Sequence, residues 1–449
     1  MAMRGYDGRD WEPVRTFHRR WEAEMLQGFL EANGFSTWLL ADDAGGSAYP
    51  GVTLAGQVLL VPSEDVDRAR ELVAMGGAVE DGGGQERERL VRLLMELLRI
   101  PSVTGEEEAI ADWLEDRYVR REEVVRRVGD SLVVGEEDFE RANVLLVAHV
   151  DVVPPAPDDP PEPAMTSERV VGRGASDMKS GLAVAMECFE DPALRAGPYN
   201  LLLVCYAGEE GSHAGNQLRQ VLEAVDELND ADLAIVLEPT DLAVQLGCLG
   251  GLHAELIFRG KAAHSARPWH GENALTKAGE LLDELHARAP QEVDVDGLVY
   301  REVFTATQGH TPEGVRNVVP DLFTVNLNYR YAPTRRLTEA EERVWELVRG
   351  RAEVVFTDRS PPAPPSKHDP CVAAFLKAVG APVEPKQAWT DVARFAEAEV
   401  PALNYGPGLT AQAHQAGEYV PIANMVTARA ALGRFLSGQG DTGTGADLG

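Results

Sequence analysis

Short apolar runs that end abruptly in acids or a histidine set the pattern in the middle of this chain. Val144 to Ala148 carries no polar residue and stops at His149-Val150-Asp151. Leu201 to Tyr206 leads to Ala207-Gly208-Glu209-Glu210-Gly211, and Leu233 to Leu237 leads to Glu238-Pro239-Thr240. Runs this short, bounded by polar and turn-forming residues, predict strands buried on both faces. Between them the spacing changes: Asp177 sits in a glycine-flanked turn, and Leu182 to Glu190 follows as an apolar helix. Upstream, Leu90, Leu93, Leu94, Leu97 and Leu98 fall on one side of a helix over Gln85 to Leu98. Ile100-Pro101-Ser102 breaks it, and Thr104 to Glu107 starts another that reaches about Arg120. Near the end, Ala402 to Gly408 leads through a loop to His414. Strands alternating with helices predict an α/β domain, with its chemistry at the carboxyl ends of the strands.

Residues 250–362 read differently. Leu252 to Phe258 alternates as a strand, Glu272 to Ala289 is a helix, and Val299 to Thr307 and Asp321 to Tyr331 are further strands. This predicts an inserted α+β lid with an exposed strand or helix suited to dimerisation, and Pro361 to Pro365 as the hinge back. The α/β domain is thereby split into residues 85–249 and 363–437. Residues 12–77 carry a third pattern, with strands at Pro13 to Phe17, Ser36 to Leu40 and Gln57 to Val61, and helices at Arg19 to Ala32 and from Ser63. That βαββα order predicts a small ferredoxin-like module, which holds no catalytic constellation. Residues 78–84, rich in glycine, read as a linker, and 438–449 as a disordered tail.

Composition narrows the function classes. Of 449 residues, 44% are hydrophobic, enough for sizeable cores. The net charge of -31 argues against nucleic acid, whose phosphates would be repelled. An acidic substrate then needs local arginines, because lysine is confined to six positions. No run approaches the ~18 apolar residues of a membrane span, and the first residues lack a signal-peptide core, so a cytoplasmic protein is expected. Cys188, Cys205, Cys248 and Cys371 lie far apart with no Cys-x-x-Cys pair, which fits free thiols in a reducing compartment.

Each chemical feature has a bland reading when taken alone. His149 can be a satisfied histidine at a strand end, Asp177 a helix cap, and Glu209-Glu210 a surface pair. Taken together, four apolar segments each deliver a carboxylate or imidazole to one rim, and that pattern is far more specific than any part. His149 and Asp151 lie two apart on an extended chain, so the carboxylate stands behind the imidazole as an orienting partner. Adjacent acids at a strand end are costly without a cation. The set His149, Asp177, Glu210, Glu238 and His414 offers oxygen and imidazole without thiolate, suiting zinc, and also cobalt or manganese. Five ligands are too many for one catalytic zinc with an open position, but suit two metals sharing a carboxylate.

At this point the chain resembles the two-zinc amidohydrolases that include aminoacylases, acetylornithine deacetylases and succinyl-diaminopimelate desuccinylases. The matching pieces are AHVDVVP, GRGASDMKSG, YAGEEGS, LEPT, GKAAHSARP, NVVP and a late histidine, in the family's order over Gln85 to Leu436. The resemblance implies a mixed-sheet catalytic domain with a dimerising lid. It implies that Asp177 bridges two Zn2+ ions, with His149 and Glu238 completing one site and Glu210 and His414 the other. Asp151 orients His149, and a cis peptide follows Asp177. Glu209 is the implied general base, taking a proton from the attacking water and passing it to the departing amine. His264, in GKAAHSARP, is the implied oxyanion donor, reaching across the interface of a homodimer. Asn317 and Arg330 resemble lid residues that hold the substrate's carboxylate.

Thr390 and Arg394 lie in WTDVARF, which resembles a segment that contacts the acyl end; Arg394 can equally be a structural partner of Asp391. SDMKSG, AHSARPWHGENA and WTDVARFA look closest to a bacterial branch of desuccinylases, whereas YAGEEGSHAGN departs from that branch's wording, and His213 there has no assigned role. The expected function is therefore a desuccinylase acting on an N-acyl amino acid in lysine and cell-wall precursor synthesis. Another N-acyl-amino-acid deacylase or dipeptidase on the same scaffold is the alternative, and a metal-binding regulatory protein is the non-enzyme one. The N-terminal segment, through WEAEMLQGFLEANGF and VLLVPSEDVDRARELV, resembles short bacterial domains described as signal-transducing.

Overall fold

The computed structural model describes residues 82–211, 214–312 and 316–439, and residues 3–4, 9–17, 27, 30, 35–40, 57–66 and 68–70 of the N-terminal segment. The chain divides into two units, Met1–Arg89 and Leu90–Gly449. In the first, an antiparallel sheet runs Met3–Arg4, Asp10–Phe17, Gln57–Pro62, Trp38–Leu40, with a bulge between Pro13 and Arg15. Leu30, Phe35, Leu59, Val61, Val66 and Ala69 form its core. The three expected strands are present, joined by a short fourth at Met3–Arg4. Most of the Arg19 to Ala32 helix and residues 71–81 lie outside the described residues. Residues 82–84, expected as linker, are instead the first turn of the helix Gly82–Arg99. Opening N–H groups have no intrahelical acceptor in any sequence, so glycine is tolerated there more easily than in mid-helix.

In the second unit, an eight-stranded mixed sheet runs Val383–Pro385, Val244–Leu246, Ala402–Asn404, Leu233–Val236, Ala142–His149, Tyr199–Tyr206, Ser131–Val134, Val125–Val128. The four central strands are parallel, with Leu201 opposite Val144, Leu233 opposite Val144, and Ala234 opposite Ala402. Alternation explains why their sequences are apolar throughout. Val144, Leu146 and Ala148 enter one core beside the helices Ser180–Phe189, Pro370–Val379 and Ile422–Leu436. Leu145 and Val147 enter the other, with Val221 and Phe395. Helix and sheet approach closely at Gly181, where an added Cβ would lie 2.2 Å from the Leu237 carbonyl oxygen.

The inserted segment forms a five-stranded antiparallel sheet ordered Gln291–Val295, Leu298–His310, Leu322–Tyr331, Gly250–Arg259, Glu353–Ser360. Its core packs Leu252, Leu256, Phe258, Val325 and Leu327 against the helices Gly279–Ala287 and Leu337–Val348. The single helix expected over Glu272 to Ala289 is two pieces, Ala274–Lys277 and Gly279–Ala287, separated at Ala278. Gln291–Val295, Glu353–Ser360 and Leu337–Val348 were not anticipated, the strands because charged residues interrupt their apolar positions. Among the described residues, no helix is long and apolar enough to cross a membrane.

Candidate metal centre

His149 closes the strand Ala142–His149, is buried, and lies in register with Tyr206 of the neighbouring strand. Its Nε2 is 3.2 Å from Asp177 Oδ1. Its Nδ1 is 3.0 Å from the backbone carbonyl of Asp151 and 3.6 Å from that residue's carboxylate. Asp151 does stand behind His149, but the carbonyl makes the shorter contact. Donation from Nδ1 to it leaves the Nε2 lone pair on the Asp177 side. The Asp151 carboxylate accepts from the backbone N–H groups of Glu209 and Glu210, both at 3.0 Å, and from the Thr104 hydroxyl at 3.0 Å. It therefore fixes the turn that presents the paired acids.

The Asp177-Met178 peptide is cis, as the resemblance implied. Asp177 Oδ2 is 3.6 Å from His414 Nε2, and Glu210 Oε2 is 2.8 Å from the same nitrogen. Among the described residues, two groups have side-chain donor atoms within 4.8 Å of one another: His149, Glu209 and Glu210, and Asp177, Glu210 and His414. Glu238, just past Leu233–Val236, is also buried.

The charges of these groups are poorly balanced by protein. Glu210 Oε1 and Glu238 Oε1 are buried without a hydrogen-bond partner among the described residues. Burial, reinforced by Asp177, pushes Glu238 up to about 7. Burial also holds Glu209 well above the usual carboxylate range, with the nearby His149 opposing and Glu238, Asp391 and Glu210 adding to the rise. Orphaned carboxylate oxygens beside imidazoles form a donor set that fits a hard or borderline cation.

The remaining candidates lie elsewhere. His264 is exposed, in register with Val318, and Ser265 N–H donates to the Asn317 carbonyl at 2.9 Å, so His264 and Asn317 share one corner of the lid. Arg330, on Leu322–Tyr331, is half-buried, and its guanidinium makes no hydrogen bond or ion pair among the described residues, though Asp358 lies close enough to act on its charge. Thr390 and Arg394 are buried, and Arg394 Nε donates to Asp391 at 2.9 Å. That contact corresponds to the structural role of Arg394. Asp391 also accepts from Tyr206 Oη at 2.7 Å and from Asn216 Nδ2. The Tyr206 ring stands edge-on to His149 with centroids 6.2 Å apart, so this buried network backs the His149 imidazole. Lys179, likewise unanticipated, is buried and donates to the Leu97 and Ile100 carbonyls at 3.0 and 2.9 Å, tying a helix end to the Asp177 turn. His213 lies outside the described residues.

Residues 145–438 match peptidase family M20/M25/M40. The chain belongs to that family. A Mycobacterium tuberculosis protein provisionally named a succinyl-diaminopimelate desuccinylase is 37% identical over 354 residues, covering 78% of this chain and 98% of the relative. The Corynebacterium glutamicum succinyl-diaminopimelate desuccinylase is 35% identical over 355 residues, 77% of this chain and 95% of its own. Among solved structures, a Staphylococcus aureus tripeptidase aligns with 79% of this chain and 98% of its own at a TM-score of 0.66 and 19% identity, showing the shared fold. This M20 chain is a metal-dependent hydrolase of amide bonds.

Proposed function

We propose that the chain is a dizinc succinyl-diaminopimelate desuccinylase, releasing succinate and LL-diaminopimelate from the N-succinyl compound. The observation that carries the metal assignment is Asp177, whose two carboxylate oxygens face different imidazoles, His149 at 3.2 Å and His414 at 3.6 Å. A carboxylate so placed suits a bridging ligand, with His149 and Glu238 on one side and Glu210 and His414 on the other. Bound zinc would supply a Lewis acid for the amide carbonyl and lower the pKa of water toward neutrality.

The chain's own residues do the rest. Asp151 anchors the backbone of Glu209 at 3.0 Å, and burial raises the proton affinity of its carboxylate. Glu209 thus takes a proton from water and returns it to the leaving amine. His264 Nδ1 accepts from the Ala266 N–H at 3.0 Å, so in the neutral ring the proton sits on Nε2, directed outward as a donor. That tautomer suits oxyanion stabilisation, delivered to the facing subunit of a homodimer.

The succinyl assignment rests on the names of the two relatives and on Arg330. In a chain of net charge -31, a half-buried guanidinium with no side-chain hydrogen bond or ion pair among the described residues, and only the field of Asp358 on it, supports binding of a carboxylate-rich substrate. Arg330→Met is expected to raise KM by roughly 10- to 100-fold with little change in kcat, the value of one charge-assisted contact. Steady-state kinetics check this; an unchanged KM would remove Arg330 from the substrate site. The activity itself is tested with purified enzyme on N-succinyl-LL-diaminopimelate, N-acetylornithine, other N-acyl amino acids and dipeptides. Fast hydrolysis of another member with no turnover of the succinyl compound would overturn the substrate assignment.

A further inference from the structure

Four residues beyond His414, the carboxylate of Glu418 is buried and points into the turn that carries Asp177. Its Oε1 accepts from the backbone N–H groups of Ser176 and Asp177 at 2.8 and 2.9 Å. Its Oε2 accepts from the Gly174 N–H at 2.9 Å and from the Arg173 guanidinium at 3.0 Å. We propose that Glu418 is a positioning residue that locks the Asp177 turn and the His414 loop into one metal-binding frame. This rests on the metal assignment above.

The local backbone explains why such a carboxylate is needed. Gly174 has a left-handed φ of 81°, and Asp177 and Met178 leave the helical region, with φ values of -118° and -129°. Several N–H groups of the turn therefore converge on a side chain, where an anionic acceptor makes the strongest bonds. Further contacts join the same two segments. Gly172 N–H donates to the Glu418 carbonyl at 2.9 Å, and Ser176 Oγ donates to the Tyr419 carbonyl at 2.7 Å. Tyr419–Pro421 pairs with Arg169–Val171. Arg173 also donates to Asp159 at 2.7 Å, and Asp159 accepts from the Gly417 N–H at 2.8 Å.

Glu418 thus ties the loop following one proposed ligand to the backbone amide of another. Its loss should leave both ligands in the sequence and misplace one relative to the other. A side chain that only braced the fold would lower stability without selectively weakening metal. Glutamine cannot substitute, because each carboxylate oxygen meets two donors and an amide in either orientation sets its NH2 against them.

The test compares metal-free Glu418→Gln with the parent protein in two measurements: zinc titration against a chromogenic chelator, and thermal unfolding without metal. The expected result is zinc binding weakened roughly 10- to 100-fold, as for other groups that orient metal ligands. Zinc per chain recovers at saturation, and the metal-free unfolding temperature stays within a few degrees of the parent's. Zinc affinity within twofold of the parent would overturn the proposal. A parent protein that binds no zinc would overturn the metal assignment beneath it. If Glu418→Gln does not fold, Glu418→Asp, which keeps the charge and draws it back by one methylene, is judged by the same affinity criterion.

Discussion

Glu209→Gln is expected to keep both metals and lose roughly 10²- to 10⁴-fold in kcat, the usual contribution of a general base. The substitution preserves shape, and the backbone N–H that donates to Asp151 at 3.0 Å is untouched. Glutamine can hold a water but cannot take its proton. The crowding around the site makes the experiment discriminating, because Glu209 lies within 4.8 Å of His149 and Glu210 and could itself be read as a ligand. Metal analysis beside steady-state kinetics separates the roles. Full activity would eliminate Glu209 as the base; loss of a metal would move it into the ligand set.

The second large effect is at His264. His264→Ala is expected to lower kcat by roughly 10²- to 10³-fold, the range for losing one oxyanion donor, with metal content unchanged. A metal ligand or a fold-bracing residue would behave differently, and because His264 is exposed its removal takes away no core contact. If the donor acts across a two-fold interface, mixing His264→Ala with Glu209→Gln subunits pairs an intact base with an intact histidine in half of the mixed dimer's sites. Activity then recovers to about a quarter of the parent's in a statistical mixture. A mixture no more active than its components would place His264 within its own subunit's site.

How much of this was legible in the sequence depended on whether the signal was local. Val144 to Ala148 reads as a buried strand because both faces meet apolar cores, and that needs no knowledge of its neighbours. The convergence of His149, Asp177, Glu210 and His414 follows once the strands are parallel, since their carboxyl ends then share a rim. Three features were not legible. The two-residue spacing shows Asp151 behind His149, but not that its carboxylate also holds the Glu209-Glu210 turn, 58 and 59 residues along the chain. Arg394 offered two equal readings, and only packing brought Tyr206 and Asn216 to Asp391 beside it. Glu418 looked like any loop acid, because its acceptors' donors lie more than 240 residues away. Strand identity is a property of a few adjacent side chains; a hydrogen-bond network is a property of the closed fold.

The central claim is that two metals held by His149, Asp177, Glu210, Glu238 and His414 support hydrolysis of N-succinyl-LL-diaminopimelate. It is tested most directly by adding zinc stepwise to the metal-free enzyme while following succinate release. No turnover is expected without metal, and full activity is expected only as the second equivalent per chain is bound. Full activity with a chelator present, or a plateau with no metal retained at these residues, would contradict it.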